Sequence, residues 1–200
     1  MSALHGFGLG IASENATGDT LDVFYPQPLS HVSGALCDRL TGVTGRLDSA
    51  QLRELATMLH EVGESTLGDI ASRLIETDKP IVAAVLSDNR AAGSVEEAYL
   101  KLHLLSHRLV KPHQTDLTGL FGLLPNVAWT DQGPIDLSEL PQRQLDARLR
   151  GTVLEVSSVD KFPKMTNYVV PAGVRIAHTA RVRLGAYLGE GTTVMHEGFI

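Results

Sequence analysis

The chain has 200 residues, of which 43% are hydrophobic and 20% charged, and this is enough material for one or two globular domains with a sizeable core. Its formal net charge of −6, with no cluster of Lys and Arg to oppose it, argues against nucleic acid as a partner, and its single cysteine, Cys37, excludes an intrachain disulfide and a cysteine-based zinc site. No apolar run reaches the length of a transmembrane helix and the first residues lack the features of a signal peptide, so we expect a cytoplasmic protein with no membrane partner.

The first half of the chain alternates predicted strands and helices. Two apolar runs flank the turn-rich string ENATGD and predict a hairpin over residues 5–25. A helix is predicted to begin at Asp48, which would act as N-cap, with Gln51 completing a capping box. The apolar run over residues 80–86, PIVAAVL, predicts a buried strand.

A second helix is predicted further along the chain. Ser94 and Glu97 form the pattern S-x-x-E of a capping box, and the helix should run through about Val110, because Pro112 cannot continue it. Beyond it the sequence predicts a core strand or loop, a short helix and another strand, over residues 119–130, 139–149 and 152–159. This alternation predicts an α/β domain over residues 1–155, followed by a connection over residues 156–169.

The C-terminal segment, residues 170–200, has a different period. An aliphatic side chain stands at every sixth position, and glycines occur three residues after several of these rungs, where a turn with positive φ favours glycine. A period of six predicts the start of a hexapeptide β-solenoid; two ordinary strands with glycine turns are the alternative. The rungs are Val170, Ile176, Val182, Leu188, Val194 and Ile200. Because fewer than two coils are present, we expect hydrogen exchange to show residues beyond about Leu184 as weakly protected in the isolated 200-residue chain.

A few side chains are candidates for binding a metal. His178 and His196 are eighteen residues apart and should stack on successive coils, but without a third histidine in the repeat we favour stacked surface histidines over zinc. His103 and His107 share a helix face, where packing or an interface is a better interpretation than a metal pair. The carboxylate of Glu197 is either a ligand for a hard cation such as magnesium or a solvated acid, and the pattern leaves both open.

Four long strings resemble one family. They are LKLHLLSHRLVKPH (100–113), GLFGLLPNVAWTDQGP (119–134), VDKFPKMTNYVVPAGVRIA (159–177) and VRLGAYLGEGTTVMHEGF (182–199). They closely resemble the actinobacterial type of tetrahydrodipicolinate N-succinyltransferase, whose substrate is 2,3,4,5-tetrahydropyridine-2,6-dicarboxylate. The resemblance covers most of residues 94–200 and is weaker over residues 1–93. The chain looks like the N-terminal two thirds of such a protein.

The resemblance implies an acyltransferase of the diaminopimelate branch of lysine biosynthesis. Such an enzyme transfers a succinyl group from succinyl-CoA, its co-substrate, to the amino group of ring-opened tetrahydrodipicolinate. The implied fold is an N-terminal α/β domain, a left-handed parallel β-helix and a small C-terminal segment. The implied assembly is a homotrimer with active sites between neighbouring β-helices.

The resemblance also bears on the site residues. The essential glutamate of the family follows the MHEGF string and would lie beyond Ile200, so we expect no catalytic residue within this chain and no activity from these 200 residues alone. Members of the family place a metal ion, usually magnesium, on the trimer axis through acidic side chains. Glu197 matches one of those positions, whereas Ala180 stands at the second, where close relatives carry an aspartate. This departure leaves a weaker site with one carboxylate per subunit.

Other functions remain open from the sequence. The chain is alternatively a non-catalytic N-terminal or trimerisation fragment, or another hexapeptide-repeat acyltransferase. A solenoid carbonic anhydrase is disfavoured by the four strings. An assay of CoA release from succinyl-CoA would separate the catalytic from the non-catalytic interpretation.

Overall fold

The computed structural model describes residues 3–200, and its N-terminal half is built on one antiparallel sheet. The strands are β1 (Ala3–Glu14), β2 (Thr20–Phe24), β3 (Leu29–Ser33), β4 (Gly45–Arg46) and β5 (Ile81–Leu86). The long strand β1 pairs with β3 along its first half and with β2 along its second half, and β5 lies on its other edge, followed by β4. The predicted hairpin and the predicted buried strand are both confirmed.

The glycines of β1 permit a close approach on one face of this sheet. A Cβ on Gly8 would lie 2.7 Å from the Tyr25 ring and 2.9 Å from Leu100, and a Cβ on Gly10 would lie 2.2 Å from the Phe24 carbonyl oxygen. Because successive residues of a strand point to opposite faces, these glycines leave room for packed side chains without removing apolar residues from the other face.

Three helices cover that other face. They are α1 (Gly34–Leu40), α2 (Ser49–Glu61) and α3 (Ser65–Leu74), and their buried side chains form one core cluster with Phe7 and Leu9 of β1. The predicted start of α2 is confirmed. Asp48 Oδ1 accepts the N–H groups of Ala50 and Gln51, both at 2.8 Å, and Gln51 Oε1 accepts the Asp48 N–H at 2.9 Å, which completes the capping box.

Helix α4 (Val95–Ser106) lies on the glycine face and is buried at every residue from Ala98 to Ser106. Its start is confirmed, since Ser94 Oγ accepts the Glu97 N–H at 3.2 Å, but the Glu97 carboxylate accepts the Gly93 N–H instead of closing the capping box. The predicted end at Val110 is wrong. The helix ends at Ser106 because Arg108 adopts a left-handed conformation with φ of 63°.

A second, smaller sheet follows. Helix α5 (Leu120–Leu123) precedes β6 (Val127–Thr130) and β7 (Gly133–Asp136), and helix α6 (Leu140–Leu149) precedes β8 (Val156–Asp160). The three strands are antiparallel in the order β7-β6-β8. The short helix near 139–149 is confirmed, and residues 119–130 form both a helix and a strand. The mixture of helices and sheets is thus confirmed, and the domain boundaries at residues 155 and 170 stay a prediction. No helix in the described part of the chain is long and apolar enough to cross a membrane.

The C-terminal segment winds with an offset of eighteen residues. Strands β9 (Arg175–Ile176) and β10 (Thr193–Val194) pair in parallel, with Arg175 opposite Thr193, and Gly191 N–H donates to the Gly173 carbonyl at 2.8 Å. The predicted turns are confirmed, since Gly173, Gly185 and Gly191 have φ of 71°, 100° and 82°. Parallel pairing at this offset disfavours two strands joined only by glycine turns.

The rungs of this segment are not equally buried. Val182, Leu188 and Val194 are buried, whereas Val170 and Ile200 are 64% and 52% exposed. The weak hydrogen-exchange protection expected beyond about Leu184 stays a prediction, although Leu188 and Val194 are buried. These side chains belong to the same core cluster as the buried residues of α4, so the helix covers them.

Candidate functional site

The predicted histidine stack exists on the surface of the C-terminal segment. The rings of His178 and His196 lie 5.7 Å apart, edge to face, and His196 Nδ1 lies 3.0 Å from Glu197 Oε1. The side chains of His196 and Glu197 are 69% and 85% exposed. The stacking follows from the eighteen-residue offset, which sets each side chain above the one a full coil earlier.

These residues do not form a complete metal site in one chain. Across residues 3–200, no group of three or more His, Cys, Asp or Glu side chains is placed to hold a metal ion. The coil offset puts Thr179 in register with Glu197, and Ala180 is exposed on the same short turn. One carboxylate is too few for a hard cation, which prefers six or more oxygen ligands. The assignment of Glu197 to a metal stays a prediction.

His103 is committed to packing. Its Nδ1 donates to the Tyr99 carbonyl at 2.8 Å and its Nε2 accepts the Tyr25 N–H at 3.3 Å. Burial lowers the pKa of His103 to about 3, with a smaller contribution from His107, so the ring is neutral at physiological pH. Both ring nitrogens are used, which leaves His103 no lone pair for a metal.

A buried carboxylate joins the hairpin to the segment before the coil. Tyr168 Oη donates a hydrogen bond to Asp22 Oδ2, and Ser13 also bonds to this carboxylate. Burial raises the pKa of Asp22, and the hydrogen bonds from Tyr168 and Ser13 oppose that rise. This contact could not be predicted from the sequence, because Leu21, Asp22 and Val23 are all buried and the strand lacks a polar face.

We expect Asp22→Asn to change how stability depends on pH. The folded-state pKa of Asp22 lies above its ordinary value of 3.8, so the folded state binds the proton more tightly than the unfolded state. The stability contributed by this group is complete below the unfolded pKa and is lost as pH rises through the folded pKa. The variant removes this loss. The unfolding free energy of the variant minus that of the wild type, from urea titrations, should increase with pH from about pH 4 upward.

Asp19→Asn is the matched control, since Asp19 lies in the same hairpin and its pKa is lowered by hydrogen bonds from Thr17 and Asn15. For this variant the same difference should decrease with rising pH, because a lowered pKa stabilises the folded state above it. A difference for Asp22→Asn that stays flat or decreases with pH would contradict the expectation.

Side chains at the C-terminal end of α4 and just beyond it attach the helix to the coil. Ser106 Oγ donates to the Ala186 carbonyl at 3.1 Å and accepts the Gly185 N–H at 2.8 Å. Arg108 donates from Nε to the Leu188 carbonyl at 2.5 Å and from Nη2 to the Ala172 carbonyl at 2.9 Å. These bonds satisfy backbone carbonyls of the coil and explain why the chain leaves the helix at this point.

The chain is similar to named proteins along its whole length. A sequence model described as "Tetrahydrodipicolinate N-succinyltransferase middle" matches residues 124–164. A protein of Pseudomonas putida named 2,3,4,5-tetrahydropyridine-2,6-dicarboxylate N-succinyltransferase is 55% identical over 207 residues, covering 100% of this chain and 60% of that protein. A protein of the same name from Salinispora tropica is 41% identical and covers 100% of this chain and 58% of that protein.

A solved structure supports the fold. The crystal structure of a putative 2,3,4,5-tetrahydropyridine-2-carboxylate N-succinyltransferase from Campylobacter jejuni superposes with a TM-score of 0.82, at 24% identity, over 98% of this chain and 57% of that chain. The chain spans about 60% of the length of the curated relatives it matches, and the similarity includes residues 1–93, where the resemblance read from the sequence is weaker. The resemblance of this chain to the tetrahydrodipicolinate N-succinyltransferase family is therefore confirmed over all of its 200 residues.

Proposed function

We propose that this chain is part of an N-succinyltransferase that acts on tetrahydrodipicolinate with succinyl-CoA as co-substrate, in the diaminopimelate branch of lysine biosynthesis. The observation that carries the proposal is the 55% identity over the full chain to the Pseudomonas putida protein of that name. In the reaction the substrate amine attacks the thioester carbonyl, an amide bond forms, and the CoA thiol leaves with a proton.

The contribution of this chain to that reaction is a rigid scaffold. We propose that residues 170–200 are the first coils of a left-handed parallel β-helix, joined by residues 156–169 to a domain over residues 1–155. The parallel pairing of β9 with β10 at an offset of eighteen residues supports this. Acyl transfer between two substrates depends on holding the amine and the thioester together, which clefts between rigid prisms can do.

The same proposal includes a homotrimer with magnesium on its axis. Three copies of Glu197 around a threefold axis would supply three carboxylates, which suits a hard cation better than one. The exposure of the Glu197 side chain, which is free to face other subunits, supports this. Magnesium in this place would neutralise the converging carboxylates and hold the subunits together.

We expect Glu197→Gln to abolish a magnesium-dependent rise in the thermal midpoint of unfolding. A cation that binds only the folded trimer stabilises it by about 2.7 kcal/mol at a hundredfold excess over its Kd, so the wild type should unfold at a higher temperature with magnesium than with EDTA. Glu190→Gln, at an exposed glutamate of the same coil, is the matched control and should keep the response. A wild type that ignores magnesium, or a Glu197→Gln variant that still responds, would count against the site.

The catalytic proposal is tested by CoA release. The natural-length protein that contains this sequence should release CoA from succinyl-CoA only when tetrahydrodipicolinate is present. Release without the acceptor, or none with it, would contradict the proposal. The 200-residue chain is assayed in parallel, and turnover by it would exclude the fragment interpretation and place a catalytic group within these residues.

A further inference from the structure

A cavity of about 600 Å³ lies where the loop after α4 meets the coil. Polar side chains of Asn89, Thr115, Asp116 and Tyr187 line it, and the backbone at Gly185 forms part of its wall. Its volume falls within the range of about 300–1,000 Å³ that is typical of small-molecule sites. Loop and coil thus form an open cleft of suitable size with polar groups on its wall.

A buried ammonium group stands behind this wall. Lys101 of α4 is 0% exposed, and its Nζ lies 3.4 Å from Thr115 Oγ1 and 3.5 Å from Asn89 Oδ1. Among residues 3–200, it forms no ion pair within 4.0 Å. A buried charge that lacks a close counter-ion is costly, so a position that keeps one invites a functional explanation. The contacts to these two neutral oxygens are long. Burial lowers the pKa of Lys101, and the more distant carboxylates of Asp116, Glu97 and Asp88 oppose that lowering.

The other titratable group in contact with this cluster does not supply a second cation. His5 Nε2 lies 3.2 Å from Thr115 Oγ1, and burial lowers the pKa of His5, with Lys101 adding to the effect. Arg90, the other basic side chain that influences Lys101, is paired with Glu97 at 3.0 Å and with Asp88 at 3.7 Å. Lys101 is therefore the basic group behind the wall that has no ion pair in the described part of the chain, and the imidazole of His113 lines the cavity itself.

A carboxylate supplies the opposite charge on the same wall. Asp116 Oδ1 accepts the Thr118 N–H at 2.8 Å, and hydrogen bonds from Thr118 lower the pKa of Asp116, which keeps it ionised. The Asp116 N–H donates to Asn89 Oδ1 at 2.7 Å. The amide oxygen of Asn89 is therefore in contact with both the Lys101 ammonium and the backbone N–H of Asp116.

Asn89 also has donors to offer. Its Oδ1 accepts from Asp116 and contacts Lys101, whereas its Nδ2 group makes no hydrogen bond to any residue from 3 to 200. The wall therefore presents two regions. One is the Asp116 carboxylate, which attracts cations. The other is formed by neutral hydrogen-bond donors, with the buried Lys101 ammonium behind them. A ligand with one charge would match only one of these two regions.

We propose that this cavity binds a small zwitterion of the α-amino acid class, with its ammonium group at the Asp116 carboxylate and its carboxylate at the Asn89 Nδ2 group and the Thr115 hydroxyl. Lys101 favours the ligand carboxylate through its field and without contact. The site lies within the described chain and does not depend on the acyl-transfer reaction proposed above.

The test is isothermal titration calorimetry on the 200-residue protein with glycine, L-alanine, L-lysine and L-glutamate as probes. Ethylamine and propionate, which each carry one of the two charges, are titrated under the same conditions. At least one amino acid should bind with a Kd below about 10 mM, and at least about tenfold more tightly than either singly charged compound. Absence of amino-acid binding, or equal binding of ethylamine or propionate, would overturn the proposal.

Asp116→Asn keeps the oxygen that accepts the Thr118 N–H and should weaken amino-acid binding at least about tenfold. Asp136→Asn is the matched control, because Asp136 Oδ1 accepts the N–H of Ser138 in the same local geometry on the smaller sheet, and it should bind as the wild type does. Equal weakening in both variants, or none in Asp116→Asn, would contradict the assigned contact.

If the Asp116→Asn variant folds poorly, the site can still be tested by nuclear magnetic resonance on the wild type. Amide resonances of Thr115, Gly185 and Tyr187 should shift when the bound amino acid is added, and those of α2 should not. If the amide resonances of all three residues stay unchanged when the amino acid is added, any binding takes place elsewhere and the proposed site is wrong.

Discussion

Replacing Gly185 by alanine is expected to lower the free energy of unfolding by about 2–5 kcal/mol, against about 1–2 kcal/mol for Gly191→Ala. Both glycines have positive φ, 100° and 82°, so an alanine at either position meets the strain of a left-handed backbone. They differ in their surroundings. A Cβ on Gly185 would lie 2.5 Å from Leu102 Cδ2, whereas a Cβ on Gly191 would have no heavy atom within 4 Å in the described chain. The difference between the two costs is the overpacking of the core beneath Gly185.

Urea unfolding of the two variants measures that difference, and a third variant locates its cause. In a Leu102→Ala background the contact at Gly185 disappears, so the added cost of Gly185→Ala should fall to that of Gly191→Ala. The comparison is a double-mutant cycle on two residues in contact. Equal costs for Gly185→Ala and Gly191→Ala in the wild-type background would contradict the close contact between Gly185 and Leu102.

The features predicted correctly from the sequence are those with a local cause. The capping box of Asp48 and Gln51 involves atoms three residues apart, and the turns at Gly173, Gly185 and Gly191 need only a residue that tolerates positive φ. A period of six likewise records a repeated local geometry. Such features can be predicted from the sequence because they depend only on residues that are close together in the chain.

The features that were missed or wrongly predicted have distant causes. Helix α4 ends at Ser106 while the guanidinium of Arg108 bonds to carbonyls 80 and 64 residues away. Asp22 and Tyr168 are separated by 146 residues, and Lys101 is recognisable as buried only when both faces of α4 are covered. Nothing in the local sequence marks these contacts, since each of them depends on another part of the chain that packs against α4 or the hairpin.

Helix α4 is consequently the element that packs against both the large sheet and the coil. Its buried side chains share one core cluster with Val82 and Leu86 of the sheet and with Leu184 and Leu188 of the coil. Its polar residues then take separate roles, with His103 holding the backbone of the hairpin and Lys101 standing behind the cavity wall. Because one helix makes all of these contacts, a substitution in the core of the coil should lower the stability of the whole fold.

That dependence gives the second large prediction. Leu188→Ala should lower the free energy of unfolding by about 2–5 kcal/mol, because the side chain is 1% exposed and its removal leaves a cavity next to α4. The loss should appear in a single cooperative transition followed by both fluorescence of Trp129 and far-ultraviolet circular dichroism. A transition at lower urea concentration that only one of these two signals shows would mean that parts of the chain unfold separately. That result would contradict a core shared by the coil and the large sheet.

The matched control is Ile200→Ala, on the same ladder of aliphatic rungs but 52% exposed. Its backbone bonds, from Ile200 N–H to the Arg181 carbonyl at 2.9 Å and from Arg183 N–H to the Ile200 carbonyl at 3.0 Å, do not involve the side chain and should persist in the variant. We expect a cost below about 1 kcal/mol, since a half-exposed side chain loses little buried surface on truncation. Both residues occupy the same position of the six-residue repeat, and only the packing of α4 against Leu188 distinguishes them. Similar costs for Leu188→Ala and Ile200→Ala would therefore contradict the packing of α4 against the coil.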